Sequence, residues 1–139
     1  MRDLNRAKAL LDGHTCVMCK EETIYISQKT GIAPILDWLA DGTDLSGFSA
    51  ADKIVGKAAA LLFVLAGIKA VHGEVMSKAG LAVLQAHGIA CTYGSLTDHI
   101  INRRGDGICP MEETVQTIDD PDLAHKALAA KREHLRHRK

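Results

Sequence analysis

The sequence has no excess of charge of either sign, because its 17 lysines and arginines balance its 17 aspartates and glutamates. Balanced charge gives no long-range field that would draw the chain to nucleic acid or to a membrane surface. No apolar stretch reaches the roughly 20 residues of a membrane-spanning helix, and no apolar segment follows a basic N-terminus as it does in a secretory signal. We therefore expect a cytoplasmic protein, with neither a membrane nor nucleic acid among its partners.

The sequence also lacks internal repeats, low-complexity tracts and long linkers, and its 139 residues are typical of one domain. Four cysteines in a chain without an export signal are expected to be reduced thiols. Cys16 and Cys19 have the Cys-x-x-Cys spacing, but no second such pair or histidine pair follows at zinc-finger distance. On a strand, residues three apart face opposite sides. We therefore predict no metal site at these two cysteines.

Residues 49–67 are predicted to form a central helix. Ser49 followed by Asp52 has the spacing of a capping box, and Gly67 stands where a helix C-cap is expected. Residues 58–66 are an unbroken apolar run, so we expect this helix to be buried on every side. Lys57 would then lie at the edge of the core or in a cavity.

The other predicted elements lie on both sides of this helix. They are a first helix ended by Gly13, hairpin strands at 14–19 and 23–27, an irregular stretch at 29–47 that contains Trp38, strands at 70–76 and 89–93 around a helix at 78–87 that Ser77 caps, and a short strand at 99–102. The strand, helix, strand order with short joins predicts a parallel pair with a right-handed crossover.

Two predicted helices follow the last strand. Pro110 suits the first position of one, Glu112 suits its first turn, and Cys109 would be its N-cap, where the helix dipole favours a thiolate. The alternative is that Cys109 is a small cap residue without chemistry. The other helix, at 121–139, is basic and is expected to pack on, or trail from, a domain at 1–120. Its basic patch could pair with the acidic stretch 106–122 within the chain or between subunits of a homo-oligomer.

The order of elements is similar to the cytidine-deaminase-like fold. More closely, the chain resembles a family of uncharacterised prokaryotic proteins, domain of unknown function 1893. The segments that carry this resemblance are DKIVGKAAA at 52–60, MSKAG at 76–80 and GDGICPME at 105–112. The resemblance covers nearly the whole chain up to about residue 120. It implies an α/β fold in three layers, with a mixed four- to five-stranded sheet and a buried central helix.

The residues of a zinc deaminase are missing from the corresponding positions. Such enzymes place His-x-Glu at the start of the central helix and Pro-Cys-x-x-Cys at the start of the next. Here Gly56 and Ala58 stand at the first pair of functional positions, and Ser77 and Gly80 stand at the two cysteine positions. Catalytic zinc needs three protein ligands, so we expect no zinc, no other cofactor and no zinc-dependent deamination.

The vacated site would lie at the starts of two helices, where backbone N–H groups favour an anion. Gly56, Lys57, Ser77, Lys78 and Glu112 are the candidate ligand-binding residues. One interpretation is a binding module for a small anionic molecule that carries phosphate and resembles a nucleotide. A second is an enzyme with Cys109 or Lys57 as nucleophile. A third is a structural or oligomer-forming protein, in which Lys57 pairs with Asp52 or Glu112 and the glycines only pack.

Overall fold

The structure is a computed structural model, and it describes residues 2–102 and 104–137. The helices are α1 (Arg2–Leu10), α2 (Ala33–Ala40), α3 (Lys57–Ala66), α4 (Lys78–Ala86), α5 (Pro110–Thr114) and α6 (Pro121–His137). The strands are β1 (Cys16–Lys20), β2 (Thr23–Ser27), β3 (Ser49–Val55), β4 (Ala70–Ser77) and β5 (Ala90–Thr97).

The five described strands form one mixed sheet in the order β2-β1-β3-β4-β5. β1 is antiparallel to β2 and β3, whereas β3, β4 and β5 run parallel. Ala7 and Leu11, from α1 and the turn after it, pack on one face of the sheet, and α2, α3, α4 and α6 supply buried residues to the other. This is the three-layer α/β arrangement, with a mixed sheet and a buried central helix, that the sequence predicted.

The predicted hairpin and the two predicted faces of Cys16 and Cys19 are confirmed. β1 and β2 pair antiparallel, with Cys16 opposite Ser27. Cys16 belongs to the main core beneath α3, and Cys19 belongs to the smaller core beneath α1. Two thiols on opposite faces of one strand cannot bind a common metal.

The central helix is buried as predicted, but it begins at Lys57 and not at Ser49. Leu61, Leu62 and Phe63 have no solvent exposure. Gly67 ends the helix in the left-handed conformation, with a φ of 79°, which glycine adopts without a steric penalty. This central helix therefore lies in the main core, where it packs against α2, α4 and α6.

The prediction that residues 49–55 are helical was wrong, because they form β3. β3 pairs with β1 on one side and with β4 on the other, so its backbone groups find partners in the sheet. Strand pairing and burial of this kind override weak local preference. The Asp52 carboxylate accepts a hydrogen bond from the N–H of Ile54 at 3.3 Å, which is not a helix cap.

Two further predictions need correction. The stretch predicted to be irregular contains α2, which begins with Pro34 in its first turn and buries Ile35 and Leu36. The short strand predicted at 99–102 is reduced to one antiparallel bridge between Ile101 and Ile108. Both errors concern short elements, whose stability depends on contacts distant in sequence.

α6 packs against α3 through Ala124 and Leu128, which are fully buried. Arg132 of α6 forms an ion pair with Asp37 of α2 at 2.6 Å, and Lys126 pairs with Asp122 one turn earlier at 3.3 Å. Arg138 and Lys139, two members of the predicted basic patch, lie outside the described residues. None of the helices within 2–102 and 104–137 is long and apolar enough to cross a membrane.

Candidate functional site

The starts of α3 and α4 lie side by side, because β3 and β4 are parallel neighbours that end at the same edge of the sheet. Gly56 precedes α3, and Ser77 is the N-cap of α4. A Cβ on Gly80 of α4 would lie 3.0 Å from the carbonyl oxygen of Gly56. A glycine at position 80 thus permits the close approach of the two helix starts.

The carboxylate of Glu112 occupies the start of α3. One oxygen accepts a hydrogen bond from the N–H of Lys57 and the other from the N–H of Ala58, both at 2.8 Å. A Cβ on Gly56 would overlap this carboxylate. The space left by glycine at position 56 is therefore filled by a side chain from α5, and not open to a ligand.

The side chain of Lys57 is nearly buried, with 14% exposure. Its Nζ atom is 2.9 Å from a carboxylate oxygen of Asp119, a side chain that is 91% exposed. Nζ also donates a hydrogen bond of 3.4 Å to the backbone oxygen of Gln116. The ammonium is thus paired with Asp119, and not with Asp52 or Glu112 as the structural interpretation of the sequence supposed.

Ser77 caps α4 as predicted, because its Oγ accepts a hydrogen bond from the N–H of Gly80 at 3.0 Å. Lys78 has an exposed side chain and pairs with Asp98 at 2.8 Å. This hydrogen-bonded pair raises the pKa of Lys78 and lowers the pKa of Asp98. The charge of Lys78 is therefore already matched at the surface.

A cavity of about 210 Å³ opens between these elements. Its lining residues are Lys57, Ser77, Ala79, Asp98, His99, Ile100, Ile108, Glu112 and Gln116. Three of the six residues proposed from the sequence therefore line this cavity, namely Lys57, Ser77 and Glu112. Gly56 and Lys78 are neighbours of lining residues in the sequence. Cys109 is not among the lining residues.

Six residues at the site were not predicted from the sequence, and these are Asp98, His99, Ile100, Ile108, Gln116 and Asp119. The first three directly follow β5, at the edge where the parallel strands end, and that position is a signal because open α/β sheets bind ligands there. For Gln116 and Asp119 the sequence carries no such signal. They reach Lys57 only because α5 folds back over the start of α3.

Cys109 precedes α5 as its N-cap, as predicted, and makes no side-chain capping hydrogen bond to a described residue. Within the described chain, no group of three His, Cys, Asp or Glu side chains is arranged to hold a metal ion. The chemistry available at the cavity is therefore that of an ammonium, a hydroxyl, an imidazole and carboxylates.

We expect Cys109 to be alkylated faster than the other cysteines at neutral pH. Burial raises the pKa of Cys16, Cys19 and Cys91, and Asp52 raises that of Cys16 further, which lowers their thiolate fractions. Cys91 should react next, since Cys16 and Cys19 are also shielded. Peptide mapping after brief iodoacetamide treatment measures the rates, with denatured protein as the control. Equal labelling of Cys91 and Cys109 would contradict the expected order.

Comparison with known proteins agrees with this architecture. Residues 7–131 match the family model described as "TM1506: Domain of unknown function (DUF1893)". A DUF1893 family protein (TM1506) from Thermotoga maritima has a crystal structure similar to this chain, with a TM-score of 0.86 and 24% identity over 94% of this chain and 90% of that one. A comparison with curated proteins gave no match.

Two deaminase structures are more distantly similar. One is a diaminohydroxyphosphoribosylaminopyrimidine deaminase/5-amino-6-(5-phosphoribosylamino)uracil reductase from Thermotoga maritima, with a TM-score of 0.45 and 18% identity over 67% of this chain and 35% of that one. The other is a dCMP deaminase from the cyanophage S-TIM5, with a TM-score of 0.45 and 12% identity over 69% of this chain and 94% of that one.

Proposed function

The chain belongs to the DUF1893 family, and we propose that it binds a small phosphate-bearing, nucleotide-like molecule in the cavity between the starts of α3 and α4. The observation that carries this proposal is the unequal burial of the Lys57–Asp119 pair. Lys57 is 14% exposed and Asp119 is 91% exposed. An exposed carboxylate is a weak, solvent-screened partner, so a phosphate can replace it on the buried ammonium at little cost.

The start of α4 supplies further groups that suit a phosphate. Ala79 and Ser77 line the cavity, and the first N–H groups of a helix carry a partial positive charge. The Ser77 oxygen already accepts a hydrogen bond from Gly80, so its hydroxyl proton is the group to donate to a ligand. A phosphate would therefore lie between Lys57 and the first turn of α4.

The other lining residues suit the non-phosphate part of a nucleotide-like ligand. Ile100 and Ile108 provide apolar surface, and Asp98 and Glu112 provide oxygens that accept hydrogen bonds from hydroxyl or amino groups. At about 210 Å³ the cavity is smaller than the roughly 300 Å³ at the lower limit for drug-sized ligands. A sugar phosphate, or the sugar-phosphate part of a mononucleotide, is thus the expected size of the group that lies in the cavity.

Binding without covalent chemistry agrees better with these contacts than the nucleophile alternatives do. The Cys109 thiol does not line the cavity. The Lys57 ammonium is engaged by Asp119, and an ammonium has no lone pair for nucleophilic attack.

Opposite effects of two substitutions test the proposal. Lys57→Met should abolish the thermal stabilisation that phosphate and nucleotides give to the wild type. Asp119→Asn should increase that stabilisation, since it removes the competing carboxylate, and a severalfold lower apparent Kd is expected. Thermal unfolding midpoints over a concentration series of inorganic phosphate and mononucleotides provide the measurement.

Lys126→Met is the matched control, because Lys126 is exposed and pairs with Asp122 away from the cavity. It should keep the wild-type response. The proposal fails if phosphate and nucleotides do not stabilise the wild type, or if Lys57→Met responds like the control. Native mass spectrometry of the freshly purified protein would additionally reveal a co-purified ligand and the number of subunits.

A further inference from the structure

A second cavity, of about 130 Å³, lies at the other side of β3 and shares none of its lining residues with the first. Its lining residues are Thr15, Thr30, Gly31, Asp52, Lys53 and Ile54. They come from the residue before β1, from the turn before α2 and from the second half of β3. The loop after the hairpin thus forms a small recess against the sheet.

Asp52 lines this recess and is 7% exposed. Among the described residues it is the one aspartate or glutamate that is buried. The groups that face it are the N–H groups of β3 and the Cys16 thiol, which is opposite it on β1. The ammonium of the neighbouring Lys53 is 3.3 Å from Glu74. In the described part of the chain, no lysine, arginine or histidine forms an ion pair with Asp52.

An isolated buried carboxylate is costly to ionise, and a cation in the recess would remove this cost. Thr15 indicates what kind of cation fits. The single hydroxyl proton of Thr15 is directed to the backbone oxygens of Ser27 and Lys29. The hydroxyl oxygen of Thr15, which has no further proton, can therefore only accept a hydrogen bond from a ligand. Asp52 and Thr15 together present acceptors, so a ligand must bring hydrogen-bond donors.

We propose that this recess binds a small primary amine in its ammonium form, with the –NH₃⁺ group on Asp52 and Thr15. The ammonium group has three donors and one positive charge, which match the two acceptors and the missing counter-ion. Ile54, which is 49% exposed, and Gly31 flank the opening and leave space for a short aliphatic group. The site does not depend on the phosphate cavity.

The test uses methylammonium chloride, with tetramethylammonium chloride and potassium chloride at equal ionic strength as controls. Methylammonium should raise the thermal unfolding midpoint of the wild type, and tetramethylammonium should not, because it has the charge without the N–H donors. Burial raises the pKa of Asp52 to about 8, so binding must release a proton below that pH. We therefore expect the affinity for methylammonium to rise about tenfold per pH unit between about pH 6 and 8.

Asp52→Asn should remove the methylammonium effect, and Asp41→Asn, which changes an exposed loop carboxyl, should keep it. Equal midpoint shifts from all three salts, or a full effect in Asp52→Asn, would overturn the proposal. If Asp52→Asn does not fold, the wild-type pH dependence decides. A methylammonium affinity that is constant from about pH 6 to 8 excludes ionised Asp52 as the ligand.

Discussion

Replacing Glu112 by glutamine should lower the free energy of unfolding by about 2 kcal/mol, since hydrogen bonds to a charged group contribute about 1.5–3 kcal/mol. The Glu112 carboxylate accepts from the N–H groups of both Lys57 and Ala58. A glutamine amide can accept only one of these bonds and turns its own donors toward the other N–H. The loss of negative charge also removes a favourable interaction with the helix dipole.

Urea unfolding at neutral pH measures this change, and Glu113→Gln is the matched control. Glu113 is the next residue in α5 and is exposed, so its substitution should alter stability by less than about 0.5 kcal/mol. Equal effects of the two substitutions would mean that Glu112 does not stabilise the start of α3.

A double-mutant cycle tests whether residue 56 and the Glu112 side chain are in direct contact. Gly56→Ala places a methyl group against the Glu112 carboxylate and should be destabilising in the wild type, because the Glu112 side chain must move away from its two N–H donors. In a Glu112→Ala background the methyl group has space, so the same substitution should cost less. Additive effects would contradict direct contact, because residues in contact show interaction energies of about 0.5–3 kcal/mol.

Asp52→Asn should stabilise the protein at neutral and mildly alkaline pH. Burial raises the pKa of Asp52 to about 8 in the folded protein, against about 3.9 for an unfolded chain. Between these values the folded state retains a proton that the unfolded state has lost. The contribution of Asp52 to stability is therefore complete below about pH 4 and is lost as the pH rises toward 8.

The expected size of this loss is on the order of a few kcal/mol, since one pKa unit corresponds to about 1.36 kcal/mol. Denaturant unfolding of wild type and Asp52→Asn from about pH 4 to 9 gives the difference between the two curves. That difference should grow with pH and level off above the folded pKa. Asp41→Asn should follow the wild-type curve, and a difference that is independent of pH would show that Asp52 is already ionised.

The sequence predicted the elements whose signals are local. Ser77 begins α4, Gly67 ends α3, and the two runs of β-branched and apolar residues form the hairpin strands β1 and β2. In each case the decisive residues lie within a few positions of one another. Local hydrogen bonding, backbone freedom and the strand preference of β-branched and apolar residues are sufficient to explain them.

The sequence failed where partners distant along the chain decide the structure. Ser49 and Asp52 fit a capping box locally, but β1 and β4 draw this segment into the sheet. A central strand containing Asp52 is hard to infer, because an aspartate is normally exposed. The candidate site was located from the two helix starts. The ion-pair partner of Lys57 was not predicted, since Asp119 is 62 residues away in sequence (119 − 57).

The hydrogen bonds from Lys57 and Ala58 to Glu112 join the most deeply buried helix to one of the least buried. Every residue of α5 retains some solvent exposure, so α5 should detach in a local opening that leaves the sheet and α3 intact. In native-state hydrogen exchange, the amide hydrogens of Lys57 and Ala58 should then exchange much faster than those of Leu61 to Phe63. Their exchange rates would report how often the cavity opens, on a timescale that equilibrium unfolding does not resolve.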